Sequence, residues 1–305
     1  MRTWIQSCLD VSGRVWAVAS VTFTQLARMK IFWAPAILGA LFLLLQGVRF
    51  HDSLGPEVRG VYELSPIKST AVGGMRLFGL LVAVAATALL VPRDAEDRIL
   101  YTILCKPVPR ISYLMGKALG VVFLLGATLV GLDLLMMGVL EVRTATVVAE
   151  QTRYLLDNGY RQDELPPLLD AVRAQGATWN LQLSLLVMFF EWCILVSLTL
   201  LFSCFTSGTL VSMFFSCGFY LIGSFQNQLF QVLTSGMEGV SDLVIHAGDL
   251  FALIVPNFQA FAVFDPGAAG LPLPLGLAGN LALVAAAYFV FHLLLASWIF
   301  SQKEF

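Results

Sequence analysis

Charged residues are what this sequence has least of. Asp, Glu, Lys and Arg together make up 12% of its 305 residues, about half the share usual in a soluble domain. Hydrophobic residues fill 58% and the mean hydropathy is +0.82, more apolar surface than a water-soluble globule can bury. Lipid must therefore be part of the solvent. The short alternating apolar segments of an outer-membrane barrel are missing as well. The apolar residues come in long unbroken runs, which predicts an all-α integral membrane protein.

Catalytic and metal-binding patterns are also lacking. The five cysteines, Cys8, Cys105, Cys193, Cys204 and Cys217, show no Cys-x-x-Cys spacing. None falls in a predicted outer loop, so no structural disulfide is expected. His51, His246 and His292 are scattered, and neither His-Glu-x-x-His nor Gly-x-Ser-x-Gly occurs. A phosphate-cradling P-loop needs Gly-x-x-x-x-Gly-Lys followed by Ser or Thr. Here Ala118 follows Gly116-Lys117 and Ile111 stands where the first glycine would be. That excludes ATP hydrolysis by this route. No catalytic residue, metal or cofactor of its own is expected, and nucleic acid is not an expected partner.

What is present is a series of membrane-length segments. A helix needs roughly 20 mostly apolar residues to cross the hydrocarbon core. Six stretches qualify: 31–48, 73–92, 114–140, 181–205, 209–225 and 275–300. The third is long enough to tilt or protrude, and glycines interrupt the fifth. Six spans put both ends of the chain on one side. Segments 1–30, 93–117 and 301–305 hold ten of the 18 Lys and Arg: Arg2, Arg14, Arg28, Lys30, Arg93, Arg98, Lys106, Arg110, Lys117 and Lys303. The other eight are spread over longer loops on the opposite face. Short Lys/Arg-rich loops stay in the cytoplasm, so both termini are predicted there.

Residues 1–30 lack the compact apolar core and small-residue site of a cleavable signal peptide. Val15, Val18, Ala19, Thr22, Leu26 and Met29 recur at helical spacing, with Arg14, Gln25 and Arg28 elsewhere on the wheel. This predicts an amphipathic helix at the cytoplasmic interface, the alternative being a polar leader. Residues 141–180 form an acidic extracytoplasmic loop, predicted as two short helices near 144–157 and 163–174. Residues 226–274 are apolar but broken. Phe251-Ala-Leu-Ile-Val255 is too short to span and runs into Pro256-Asn257, which predicts a re-entrant or interfacial segment over 237–262. Pro266, Gly267, Gly270, Pro272 and Pro274 turn the chain into the last span.

The cytoplasmic loop 93–113 is the most informative stretch. Charged residues open it, Ile99, Ile103 and Leu104 form an apolar helical face, and Pro107 and Pro109 end that helix. An acidic start and a basic end match the helix dipole. Such a surface helix suits docking to a cytoplasmic partner, and a plain positive-inside loop is the alternative. Glu96, Tyr101-Thr-Ile-Leu104, Lys106-Pro-Val-Pro-Arg110, Tyr113-Leu and Gly116-Lys117 resemble the signature of ABC-2 type transporter permeases. Val108-Pro109 stands where that family more often has Val-Ser. Ala27-Arg-Met-Lys-Ile-Phe32, Leu253-Ile-Val-Pro-Asn-Phe258 and Ser301-Gln-Lys-Glu-Phe305 resemble other parts of the same family, so the likeness spans most of the chain.

The resemblance implies a type V exporter-like permease of the bacterial inner membrane. It would pair with a separate ABC ATPase subunit that holds ATP and Mg, and with a second permease copy or a sister permease. A periplasmic partner could meet the loop 141–180. Glu96, Asp97 and Arg98 would contact the ATPase, with Lys106 and Arg110 positioning the coupling helix at the headgroups.

Two acids lie inside predicted spans, Asp133 and Glu191. A charge in the bilayer interior costs at least about 2.5 kcal/mol. Either these acids line a substrate or ion path, or they make structural hydrogen bonds between the third and fourth spans. Three functional classes follow: a transporter permease, a membrane scaffold or assembly factor, and an ion-coupled secondary transporter using Asp133 and Glu191. The last often carries inverted repeats, and none is evident here.

Overall fold

The computed structural model describes residues 2–46, 64–96, 109–162, 165–173, 176–206, 208–228, 254–263 and 273–302. Among them the chain is helical nearly throughout and has no strand. We number the helices α1 (Arg2–Arg28), α2 (Lys30–Gln46), α3 (Leu64–Glu96), α4 (Arg110–Asp157), α5 (Leu165–Arg173), α6 (Trp179–Phe205), α7 (Thr209–Ser224) and α8 (Leu275–Gln302), with a 3₁₀ turn at Phe258–Phe261. Helices α3, α4, α6 and α8 are each long and apolar enough to cross a membrane, and the bent pair α1–α2 makes a fifth span if counted as one. The 16-residue α7 is apolar but shorter, about 24 Å against a core of about 30 Å.

Helix α6 is the centre of the bundle. Most of its side chains from Leu181 to Cys204 are buried, with α3 on one side and α8 along another. A helix buried all round needs no polar face, which is why its sequence reads as one apolar run. A single core cluster joins it to α2, α3, α4 and α8.

One expectation needs redrawing, and a second gains a detail. The predicted loop helix at 144–157 is not separate: α4 continues from the third span as one helix of 48 residues, about 72 Å long. It ends where Asn158 and Gly159 turn the chain. Gly159 takes φ +86°, a left-handed conformation that costs glycine little, and Tyr160 N–H then bonds back to Leu155 O at 3.1 Å. Helix α5 follows, with Pro166 and Pro167 in the first turn, where no N–H is needed. It folds back on α4 through Leu155, Leu165 and Leu169.

The second concerns α1, whose apolar stripe lies on protein. Val15, Ala19, Thr22 and Leu26 are buried, and α1 packs chiefly along α4. Gly116 and Gly120 on α4 allow this close approach. A Cβ at Gly116 would come 2.6 Å from Val18 Cβ, and one at Gly120 would come 2.8 Å from the Ala19 carbonyl oxygen. This small-xxx-small pair is the usual way for helices to pack tightly in lipid. Gly120→Val should therefore lower stability in detergent by about 1–3 kcal/mol and raise protease cleavage within α1. Gly138→Val should do neither, because a Cβ there meets nothing within 4 Å. Thermal unfolding and limited proteolysis read both.

Candidate functional site

Among the described residues, two buried ion pairs join helices at two depths of the bundle. The first lies inside the spans. Arg76 of α3 grips Glu191 of α6 with two hydrogen bonds, Nε to Oε2 at 2.9 Å and Nη2 to Oε1 at 2.6 Å. Glu191 is wholly buried, whereas the Arg76 side chain is 17% exposed. Tyr220 of α7 donates its hydroxyl to Glu191 Oε1 at 3.1 Å. The carboxylate thus has three donors, as a desolvated anion requires. Gly79, one turn along α3 from Arg76, lets the helices close: a Cβ there would run into the Trp192 indole beside Glu191.

The Pro256-Asn257-Phe258 stretch borders this centre. Phe258 is fully buried and its ring lies 4.9 Å from that of Tyr220. Asn257 Oδ1 caps the 3₁₀ turn by accepting from Gln259 N–H at 3.1 Å. Val255, Phe258 and Phe261 are all buried, and the turn packs on α6 and α7. The described part of the segment therefore inserts into the bundle; residues 237–253 of the predicted re-entrant stretch lie outside the described residues.

The second pair marks the opposite end of α3. Lys117 Nζ of α4 lies 2.6 Å from Asp94 Oδ2, with side chains 5% and 1% exposed. Tyr113 donates its hydroxyl to the same Asp94 oxygen at 2.5 Å, and its ring stacks on Phe300 of α8. Arg110 Nη1 donates to the Phe300 and Ser301 carbonyl oxygens at 3.0 and 2.7 Å. A cation there satisfies carbonyls that the helix end leaves free. The end of α3, the start of α4 and the end of α8 are thereby joined in one corner.

The site residues predicted from sequence separate accordingly. Arg110 belongs to the corner. Glu96 is exposed at the end of α3, and Asp97, Arg98 and Lys106 lie outside the described residues. Asp133, half-buried, accepts from Gln182 Nε2 at 3.0 Å, a hydrogen bond between α4 and α6. Glu191 meets α3 rather than α4, so the two acids do not share a site. His292 is buried with Nδ1 3.0 Å from Ser197 Oγ.

Sequence reasoning passed over Arg76. Counting by face puts it among the outer eight cations, whereas the structure places it inside α3. A lone arginine within one apolar run and a lone glutamate within another was the available signal. Asp94 and Lys117 were visible only as parts of a charged loop and a motif.

A scan against protein-family models and a search of curated proteins each find no match to this chain.

Removing one member of a buried pair strands the other, whereas replacing both with apolar groups does not. Arg76→Met or Glu191→Leu alone should each lower stability by about 3–5 kcal/mol, and the double variant should recover most of that loss. A double-mutant cycle of unfolding in detergent measures it. Additive losses would show that the pair is not coupled.

Proposed function

We propose that this chain is the membrane-spanning permease subunit of an ATP-driven ABC transporter of the ABC-2 type, acting in export. In this reading α2, α3, α4, α6, α7 and α8 are six spans, α1 is the interfacial helix, and both termini face the cytoplasm of a bacterial inner membrane. Two copies, or this chain and a sister permease, enclose the pathway. A separate ATPase seats against the loop between α3 and α4 and supplies ATP and Mg.

The corner at Asp94 is the observation that best supports this. A coupling loop transmits movement only if its roots are firm. Here both roots are tied to each other by Asp94–Lys117 and to the end of α8 by Arg110. A push on the loop would then reach three helices together. The Arg76–Glu191 pair favours a structural reading of Glu191 over ion coupling, because a bidentate arginine holds that carboxylate.

Mild-detergent affinity purification from the native cell, with mass spectrometry and an ATPase assay, tests the proposal. A stoichiometric P-loop ATPase should co-purify and be lost when Glu96, Asp97 and Arg98 are reversed in charge. Lys117→Met, by loosening the roots, should leave that partner bound while cutting transport per ATP. An eluate of folded protein without an ATPase would overturn the permease reading and bring forward a scaffold or an ion-coupled transporter.

A further inference from the structure

Helices α1 and α2 meet at Met29 with a bend of 67°. The bend is stapled by Trp33 Nε1, which donates to the Ala27 carbonyl oxygen at 2.8 Å. In the crook between the bent pair and α4 lies an open cavity of about 330 Å³. Phe23 and Ala36 wall it from one side and Leu124, Gly131 and Leu135 from the other. Its one hydroxyl, on Thr128, donates back to the Leu124 carbonyl oxygen at 2.9 Å. The slot therefore suits hydrocarbon and nothing polar.

Cations flank the bend beside it. Arg28 ends α1 and Lys30 begins α2, both exposed. Arg93 reaches the bend from α3, with Nη1 3.2 Å from Met29 Sδ. Asp94, which follows Arg93 on α3, is taken up by Lys117 and Tyr113, and exposed Glu96 ends the helix. Arg93 also stands where the apolar run of α3 stops, the depth at which lipid headgroups lie. Exposed Trp33 at the same bend is an interfacial residue type. An apolar slot beneath three cations matches one ligand chemistry, a phosphate-bearing head with an acyl chain.

We infer that the crook of α1 and α2 is a binding site for an anionic phospholipid, its phosphate held by Arg28, Lys30 and Arg93 and one acyl chain in the slot against α4. Basic pockets between spans are the recognised form of such sites. The inference needs only that these helices sit in a membrane, so it stands or falls apart from the ATPase reading.

Native mass spectrometry of the purified chain, exchanged into micelles with phosphatidylglycerol or phosphatidylcholine, is the test. Phosphatidylglycerol should be retained in preference, and each of Arg28→Gln, Lys30→Gln and Arg93→Gln should weaken it about five-fold. Gly131→Leu should abolish the adduct while leaving elution volume and melting temperature unchanged, since a Cβ at Gly131 meets nothing within 4 Å. Equal retention of phosphatidylcholine or of free oleate would overturn the inference. So would an adduct that persists in Gly131→Leu.

Discussion

Hydrocarbon offers an ionised side chain nothing in place of water, so every buried charge in this bundle needs its partner on a neighbouring helix. Of the charged side chains that α3 takes into the bundle, Lys68 donates to the Gly176 carbonyl oxygen at 3.4 Å, while Arg76 and Asp94 are answered by Glu191 of α6 and Lys117 of α4. Arg76 and Asp94 are 18 residues apart along α3, about 27 Å and so close to the thickness of the hydrocarbon core. One helix is thus pinned to two different neighbours at two levels. Sliding α3 along its axis, or turning it about that axis, would break both pairs together. Apolar packing alone would not fix the register so firmly, because one apolar row can replace another at small cost.

The spans were legible in the sequence because crossing lipid demands long apolar runs, and no other constraint writes them. Helices α6 and α8 fall within two residues of the stretches 181–205 and 275–300. The continuation of α4 past Leu140 was less legible. Polarity returns there, yet no glycine or proline stands between Val139 and Asp157 to end the helix, and polarity alone does not stop one. The partner of Glu191 could not be read from a single sequence, since nothing local distinguishes α3 from any other span. The face of α1 was visible as a stripe, but not what it covers; Gly116 and Gly120 gave the only hint.

The Asp94 corner and the Arg76 pair serve different ends. The deeper pair ties α3 to α6, and Tyr220 joins α7 to it while its ring packs on Phe258. The corner holds the end of α3, the start of α4 and the end of α8 together.

Helix α4 has one more mechanical property. It runs from the Arg110 corner to the turn at Gly159 without a proline or a break, so it acts as a single lever. Each degree of tilt about its Arg110 end would carry the far end about 1.3 Å sideways over a rod of about 72 Å. Because α5 is packed on that far end, a tilt of five degrees would sweep the hairpin of α4 and α5 through about 6 Å. Small movements on one side of the membrane would be delivered, enlarged, to the other.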